Sequence, residues 1–437
     1  MSSRGGRALQ VGISAVLWIA AGCALREQLL VGYGRASWQI SEWLISYRGG
    51  FVRRGFWGEI FWQVHDRWGV PVYITLIAVS LSCAAALIAV FVTGLLRAGV
   101  PLVLAPMPFF LGFPFLSNEW LRKDTLLVLL LIACLVTMRG RLSWQRIVLL
   151  NVLCIVGILT HEMFIFVGVI PIVALAVSKL RSDDLRISQS IVRVGTLWSP
   201  TFLTTAAVVV NKGSSVQAEA IWRSWRAVPL PDDGFVPPVL PGSGPQAAVE
   251  SLTWTVSRGF DITKGSLKVV SYHIPALLAW PLTIMIVVIV SVALVAAARR
   301  SVRAELNSPK AMPWEISQIA CAYLLGLASL LPLFVIGVDY GRWIFMWVAL
   351  STAILLFAEK QPTSLLLNGA MKSVHTWLAQ RNHLGRAVAV MNQYFQWAVR
   401  RPLLWVLLAP LMAVPPAYWQ AYVQITPVAT IWRTFMG

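Results

Sequence analysis

Charged residues are scarce in this chain. Only 12% of its 437 residues are Asp, Glu, Lys or Arg, whereas 58% are hydrophobic, and the mean hydropathy is +0.72. This composition lies outside the range of soluble globular proteins. Backbone groups in lipid must be satisfied within helices or closed barrels, and continuous apolar runs without a period of two exclude the barrel. The composition therefore predicts an all-α, polytopic transmembrane helical bundle.

Several signature motifs are also missing. The sequence has no Walker A loop, no dinucleotide fingerprint, no H-E-x-x-H and no G-x-S-x-G in a fitting context. These absences argue against an ATP-driven pump and against a zinc-dependent membrane protease. The five cysteines all lie in apolar runs, so we expect neither a disulfide framework nor a zinc site. We expect no cofactor; a divalent metal is compatible with the carboxylates, but no residue pattern supports one.

About eleven apolar spans divide the chain, and we treat residues 1–437 as one transmembrane domain. A span needs about 20 residues to cross a hydrocarbon core. Two of the stretches are shorter, so they tilt, extend beyond these limits, or reflect a miscounted hairpin. The predicted spans are 8–25, 70–96, 101–117, 125–138, 146–160, 163–179, 190–210, 274–297, 315–337, 343–358 and 402–420.

The distribution of basic residues predicts the orientation. A net charge of +18 would suggest nucleic acid binding in a soluble protein, but here the positive-inside rule explains most of it. A cytoplasmic N-terminus, with Arg4 and Arg7, places the basic clusters 139–146, 299–303 and 360–401 on the cytoplasmic side. No small-residue cleavage site clearly follows the first span, so we interpret it as a retained signal anchor. We expect no nucleic-acid partner.

Long segments between the spans lie on both sides in this topology. The first outer loop, 26–69, is rich in Trp and Arg, which predicts one or two interfacial helices. The outer loop 212–273 has a Pro/Gly-rich middle, which predicts irregular structure flanked by short helices around 218–226 and 247–258. A loop of this length usually covers a site or is mobile. The cytoplasmic segment 359–401 is predicted to lie on the anionic inner leaflet.

Four charged clusters fall on the outer side, and the first contains Arg48, Arg53 and Arg54. Guanidinium groups bind phosphate oxygens in bidentate fashion, and the three glycines among these arginines let the backbone approach a ligand. This composition suits a diphosphate group at the membrane surface. Binding of ordinary phospholipid headgroups is the alternative interpretation.

Four titratable side chains flank this cluster: Glu42, Glu59, His65 and Asp66. Each is a candidate base for the activation of a sugar hydroxyl. A solvated surface position is the alternative for each of them taken singly.

The second and third clusters lie between apolar spans. Glu119, Arg122, Lys123 and neighbouring Asp124 form a very short turn, which indicates either topological flanking with local ion pairs or a site of fixed geometry. The pair His161-Glu162 interrupts an uncharged stretch, where polar groups are costly and usually face a cavity or a partner. This pair lies at the tip of a hairpin or inside one long helix.

The fourth cluster, Asp339 and Arg342, joins two spans with almost no loop. The two side chains can pair with each other and close a helical hairpin. Alternatively, Arg342 binds a phosphate that Asp339 helps to orient.

The layout resembles that of bacterial surface-polysaccharide assembly proteins, namely O-antigen and exopolysaccharide polymerases and the related GT-C glycosyltransferases. The resemblance covers most of the chain and is carried by Arg48-Gly49-Gly50-Phe51-Val52-Arg53-Arg54-Gly55, Arg122-Lys123-Asp124, His161-Glu162 and Asp339-Tyr340-Gly341-Arg342-Trp343. Members of these families use sugar donors linked to polyprenyl phosphate or diphosphate. The resemblance implies that Glu42, Glu59 or Asp66 acts as the base in the GT-C case, and that arginines and a histidine, namely Arg48, Arg53, Arg54, Arg342 and His161, do the work in the polymerase case. Together with the charged clusters, this predicts catalytic roles for His161, Glu162, Glu59, Asp66 and Asp339, and substrate binding by Arg48, Arg53, Arg54, Arg122, Lys123 and Arg342.

The sequence thus predicts a membrane glycosyl transfer enzyme at the periplasmic face of a bacterial inner membrane. Its expected partners are the lipid bilayer, a polyprenyl-linked glycan and other polysaccharide assembly proteins. A transporter or flippase of a lipid-linked or anionic glycan is the first alternative, and it predicts charges distributed along the bilayer depth. A non-catalytic subunit of a polysaccharide assembly complex is the second.

Overall fold

The computed structural model describes residues 4–31, 34–98, 114–116, 119–182, 186–226, 228–230, 244–272, 316–337, 339–359 and 426–436. All regular elements within these ranges are helical, which confirms the predicted all-α class. They are α1 (Arg4–Val31), α2 (Trp38–Leu44), α3 (Gly55–Trp68), α4 (Val72–Arg97), α5 (Asp124–Thr137), α6 (Trp144–Thr160), a π-helical turn (Ile165–Val169), α7 (Ile170–Ser182), α8 (Ile187–Leu197), α9 (Ser199–Val210), α10 (Ser215–Ser224), α11 (Ala247–Glu250), a 3₁₀ turn (Ser251–Thr253), α12 (Val256–Tyr272), α13 (Ile316–Ile336), α14 (Tyr340–Phe357) and α15 (Pro427–Met436).

The apolar helices are those of a membrane protein. Within the described residues, three are long and apolar enough to cross a bilayer: Val11–Leu30 of α1, and the whole of α4 and α14. Shorter apolar helices are Asp124–Thr137, Trp144–Thr160, Ile165–Leu180, Ser199–Val210 and Cys321–Ile336. The predicted spans 274–297 and 402–420, most of 101–117, and nearly all of segment 359–401 lie outside the described residues. The count of about eleven spans stays a prediction.

Helices α5 and α14 form the centre of the bundle. Helix α14 is buried from Gly341 to Leu355, and α5 packs against α4, α6 and α14. Helix α13 forms a close pair with α14, where a Cβ on Gly326 would lie 2.7 Å from the Ser351 hydroxyl. Small residues allow such close helix contacts in a membrane, where water exclusion does not drive helices together.

The chain breaks between α6 and α7, which decides between the two predicted placements of His161. Helix α6 ends at Thr160, and His161 is extended, with φ −164° and ψ 129°. The next helix begins with the π-helical turn Ile165–Val169, in which the Ile170 N–H bonds to the Ile165 carbonyl. Pro171 follows and lacks an N–H, so the chain cannot make the ordinary α-helical bond there. His161 therefore lies at the tip of a hairpin.

The segment predicted as one span over 190–210 is two helices, α8 and α9. Pro200 lies in the first turn of α9, the position in a helix where proline is best tolerated. The Leu197 carbonyl at the break accepts a hydrogen bond of 2.9 Å from the Asn151 side chain, and the Thr201 hydroxyl donates to the same amide. Asn151 on α6 thus satisfies the polar groups that the break leaves free.

Helices α2, α3, α10 and α11 form a second apolar core, which we call the cap. The Trp43 indole donates to the Leu121 carbonyl, and the Trp225 indole donates to the Leu44 carbonyl, each at 2.6 Å. Buried tryptophans of this kind combine a large apolar contact with a satisfied N–H group. The two predicted outer loops, 26–69 and 212–273, therefore pack on each other, and the predicted interfacial helices of the first are α2 and α3.

The bundle has two ends with different chemistry. We call the end where α5 and α14 begin and α6 and α13 terminate the site end. At the opposite end, Lys179 pairs with Glu359 at 2.6 Å, and Arg139 donates to the Phe357 carbonyl at 2.7 Å. The basic cluster 139–146 is thus separated from the four charged clusters by the length of the helices, and the orientation of the two ends in a membrane stays a prediction.

Candidate functional site: a buried ion-pair network

The four charged clusters meet at the site end. Each lies beside a helix terminus. The first cluster precedes α3, the second precedes α5, the third follows α6 and the fourth is at the start of α14. Their side chains form one continuous set of close contacts, which we call the network. Its members are Glu42, Arg53, Arg54, Glu119, Arg122, Lys123, Asp124, His161, Glu162, Asp339 and Arg342.

The strongest pair of the network joins Arg342 to Asp124. Arg342 Nε lies 2.8 Å from each Asp124 oxygen, and Nη2 lies 2.7 Å from Oδ1. The contact is bidentate, and both side chains are buried. The predicted partner Asp339 is 3.8 Å away and 44% exposed, which makes its contact with Arg342 secondary.

Glu42 lies close to one histidine and two arginine side chains in the interior. Its Oε1 lies 2.9 Å from His161 Nε2 and 3.4 Å from Arg342 Nη2, and its Oε2 lies 3.7 Å from Arg122 Nη1. Burial alone raises the pKa of Glu42, but the charge of Arg342 and the contact with His161 outweigh it and hold that pKa well below the ordinary value. Glu42 is therefore a permanent buried anion.

His161 is neutral, and its two ring nitrogens face different neighbours. Its Nδ1 accepts the Met163 N–H at 3.1 Å, which places the proton on Nε2, facing Glu42. Burial and the nearby Arg54 charge lower the pKa of His161 to about 4. The lone pair of the imidazole that the sequence nominates as a catalytic group is therefore occupied by the Met163 N–H, and its Nε2 lies 2.9 Å from Glu42 without an aligned hydrogen bond.

Glu162 and two arginines form the accessible edge of the network. Arg54 makes a bidentate contact with Glu162, with 2.7 Å between Nε and Oε2, and Arg53 Nη1 lies 3.3 Å from Oε1. The Glu162 side chain is 21% exposed, against 1% for Glu42. Burial raises the pKa of Glu162, but the charges of Arg54 and Arg53 and the hydrogen bond from Arg54 hold it well below the ordinary value.

Backbone contacts fix the two arginines of this edge. Arg53 Nη2 donates to the Ser251 carbonyl of the cap at 2.8 Å, and Arg53 N donates to the Asn211 carbonyl at 3.3 Å. Arg54 has a left-handed backbone, with φ 67°, immediately before α3. A non-glycine residue in this region stores strain of about 1–2 kcal/mol, which the surrounding contacts must hold.

Lys123 is fully buried inside the network. Its ammonium donates to the carbonyls of Arg54 (3.4 Å) and Thr160 (3.3 Å) and lies over the Trp43 ring. Burial lowers the pKa of Lys123 to about 7. The sequence nominates Lys123 as a phosphate ligand, but the structure uses it to connect the loop that carries Arg54 with the end of α6.

Arg122 has a local partner and a central one. It pairs with Glu119 at 2.8 Å, as the local ion-pair interpretation of this turn predicts, and it also approaches Glu42 at 3.7 Å. Its side chain is 9% exposed, so a phosphate would reach it only after displacing Glu119.

The remaining nominated residues lie outside the network, near α3. Arg48 Nη2 is 3.6 Å from Glu59 Oε1, and its guanidinium stacks over Trp62. Glu59 lines an apolar groove of about 320 Å³ along α3, together with Tyr47, Phe56, Ile60, Gln63, Val64, Arg67 and Trp68. Asp66 is exposed on the same helix, and His65 Nδ1 lies 3.0 Å from the Val70 carbonyl.

The glycines beside the arginines have a packing role that differs from the predicted one. A Cβ on Gly55 would overlap the Tyr47 ring, and a Cβ on Gly49 would lie 2.7 Å from the Gln217 carbonyl. These positions pack the start of α3 against Tyr47 and the arginine loop against α10. The glycines thus allow close contact within the cap, whereas the sequence suggested close contact with a ligand.

Sequence reasoning underestimated Glu42 and Asp124. Glu42 was one of several first-loop carboxylates, and Asp124 only a member of a charged turn. A signal exists for both: Glu42 stands in the apolar stretch before Trp43, and Asp124 opens an apolar span, so each is placed for burial. Within the described residues, no group of three His, Cys, Asp or Glu side chains is arranged to hold a metal.

No protein-family model, curated protein or solved structure matches the chain. A functional assignment therefore rests on the geometry of the site.

Proposed function

We propose that the protein transfers a glycosyl unit from a polyprenyl-phosphate or polyprenyl-diphosphate donor to an acceptor glycan at the site end of the bundle. The observation that carries this proposal is the convergence of four distant charged clusters on one network. In the described spans, charged side chains collect at or near the two ends of the helices. A transport path would place them along the bilayer depth, so this distribution supports an enzyme over a transporter.

The accessible edge supplies the phosphate site of this proposal. Two arginines share one carboxylate, so the group of Arg53, Arg54 and Glu162 has a net charge of +1. The side chains of both arginines are partly exposed, at 18% for Arg53 and 13% for Arg54. A surplus positive charge on paired guanidinium groups favours an oxyanion such as a phosphate group.

The proposed reaction needs an acid-base residue and a stabilised leaving group. The acceptor hydroxyl attacks the anomeric carbon and gives its proton to Glu162, while the bond from that carbon to the phosphate oxygen breaks. The phosphate leaves with the electron pair, and Arg53 and Arg54 neutralise the charge that develops on it. Glu42 and His161, behind Glu162, hold the loop of the base in place.

The cellular setting belongs to the same proposal. The site end faces the periplasm from a bacterial inner membrane, with the N-terminus in the cytoplasm. The partners are the bilayer, the polyprenyl-linked glycan and other polysaccharide assembly proteins, and neither a cofactor nor nucleic acid takes part.

Mass spectrometry of polyprenyl-linked glycans tests the function. We expect a strain that lacks this protein to accumulate a donor, and the parent gene to restore the pool. The double variant Arg53→Ala/Arg54→Ala should insert into the membrane and fail to restore it, whereas Arg223→Ala, which alters an exposed pair on α10, should restore it fully. Single repeat units on the lipid would indicate a polymerase. An unchanged lipid-linked pool in the deletion strain would reject glycosyl transfer.

A further inference from the structure

Glu162 occupies the place that a donor phosphate needs. It covers the Nε–Nη2 edge of Arg54, which is an edge that binds oxyanions in bidentate fashion, and it also lies 3.3 Å from Arg53. A phosphate that binds both arginines closely must therefore exchange with this carboxylate.

Arg53 is held more firmly than Glu162, and the backbone of Arg54 is also anchored. The cap carbonyl of Ser251 fixes the Arg53 guanidinium, and the Lys123 ammonium contacts the backbone carbonyl of Arg54. The Glu162 side chain is held by the two arginines, whereas His161 Nδ1, 3.4 Å away, is an acceptor and donates no hydrogen bond to it. Glu162 also lies at the hairpin tip, directly after the extended residue His161. It belongs neither to α6, which ends at Thr160, nor to the π-helical turn, which begins at Ile165. An incoming anion will consequently move the carboxylate and leave the arginines in place.

We propose that Glu162 is a built-in counter-ion, which the donor phosphate displaces from Arg53 and Arg54, and that this displacement frees Glu162 to act as the base. The inference rests on the proposed function, because it needs a phosphate-bearing donor. It adds a coupling between the two substrates: the base becomes available only when the donor is bound.

Elementary electrostatics supports the coupling. In a polyprenyl-diphosphate donor each phosphate carries one negative charge, so the diphosphate brings two charges against one for a carboxylate and competes well for two guanidinium groups. The two arginine charges are among the factors that keep the pKa of Glu162 low, whereas burial raises it. Once a phosphate neutralises these charges, the burial effect dominates and the carboxylate accepts a proton more readily.

Binding of inorganic pyrophosphate to the purified full-length protein in detergent tests the displacement. Glu162→Gln removes the competing charge and keeps the size of the side chain. We expect this variant to bind pyrophosphate about tenfold more tightly than the wild type, equivalent to about 1.4 kcal/mol, and to lose glycosyl transfer. The matched control Glu219→Gln removes a carboxylate of the cap that pairs only at the surface, and its affinity should equal that of the wild type.

Opposite outcomes separate the two proposals. Equal or weaker pyrophosphate binding by Glu162→Gln, with binding lost in Arg53→Ala/Arg54→Ala, would reject the counter-ion role and keep the phosphate site. Binding that does not depend on these arginines would reject the phosphate site itself. If Glu162→Gln does not fold, Glu162→Asp replaces it: the shorter carboxylate cannot span both arginines as well, so its affinity should lie above that of the wild type.

The source of the phosphate needs a separate arm, because ordinary phospholipids carry the same group. Bound pyrophosphate should be displaced by a short-chain polyprenyl diphosphate and should resist the same concentration of phosphatidylglycerol. Equal displacement by the two lipids would assign the edge to ordinary headgroups and overturn the inference.

Discussion

At the scale of single residues, Lys123 has the least common environment in the described structure. A fully buried ammonium contacts two carbonyls and the face of Trp43, and burial lowers its pKa to about 7. An unfolded lysine has a pKa of about 10.4. Between these two values the unfolded chain holds a proton that the folded protein releases. The contribution of Lys123 to the free energy of unfolding therefore increases as the pH rises from about 7 to about 10, and it decreases as the pH is lowered from about 10 to about 7.

We expect Lys123→Met to remove this dependence. The variant should be most stable relative to the wild type at pH 7 and should lose this advantage towards pH 10, with a limiting slope of about 1.4 kcal/mol per pH unit. Thermal unfolding in detergent across this pH range measures the difference. Parallel curves for the two proteins would show that the Lys123 ammonium keeps an ordinary pKa.

The Arg342–Asp124 pair should show the cost of an unpaired buried charge. Arg342→Met leaves Asp124 and Glu42 without their shared cation, and the loss of one partner of a buried pair costs about 3–5 kcal/mol. The double variant Asp124→Leu/Arg342→Met should recover part of that loss. Arg223→Met, at an exposed pair, should cost about 1 kcal/mol or less.

Unfolding of these four proteins and of the single variant Asp124→Leu in one detergent provides this comparison. If the double variant is less stable than Arg342→Met by the full cost of a second deletion, the two side chains are not coupled.

At the scale of elements, the position of the accessible edge depends on how closely α3 packs on α2. Gly58 faces the carbonyls of Ile45 and Trp43, and a Cβ there would overlap the first of them. Arg54 precedes α3 by one residue, so a displaced helix carries the arginine with it. The cap therefore positions the edge through backbone contacts as well as through ion pairs.

We expect Gly58→Ala to destabilise the protein by about 1–3 kcal/mol through overpacking, and to weaken pyrophosphate binding. Gly195→Ala is the matched control, because α8 leaves open space at that position. It should stabilise the protein by about 0.5–1 kcal/mol, since alanine is the better helix former. Thermal unfolding measures both effects, and equal stabilities for the two variants would contradict the packing argument.

At the scale of the whole molecule, the two bundle ends have separate ionic systems. The network lies at the site end, and Lys179, Glu359 and Arg139 close the opposite end around helix C-termini. Basic side chains stabilise such termini, because the last carbonyls of a helix are partly negative. The apolar helices between the two systems keep them apart.

Cysteine labelling tests the orientation of the two ends. Asp66→Cys lies exposed on α3, and Gln145→Cys lies exposed at the start of α6, at the opposite end. A membrane-impermeant maleimide should label the first in intact cells and the second only after permeabilisation. The wild type is the control, because its cysteines in the described residues are buried or partly buried. Labelling of both variants from the same side would reject the two-ended arrangement.

Much of the architecture follows from the sequence alone. Composition determines the all-helical membrane class, since apolar runs in lipid must satisfy their own backbone. Local patterns also locate α4, α5, α6, α13 and α14 within a few residues, and they place the four charged clusters beside helix ends. Periodicity and charge are local properties, so a sequence shows them directly.

Only the tertiary structure decided which charges pair. Asp124 and Arg342 are 218 positions apart, and Glu42 and Arg342 are 300 apart, so no local pattern relates them. Packing of the cap on the bundle buries Glu42 and Lys123 and leaves Glu162 accessible. It also leaves Asp66 and Glu59 outside the network, although their sequence context resembles that of Glu42. Burial and pairing depend on contacts between distant segments, and these contacts determine which of several similar side chains belong to the site.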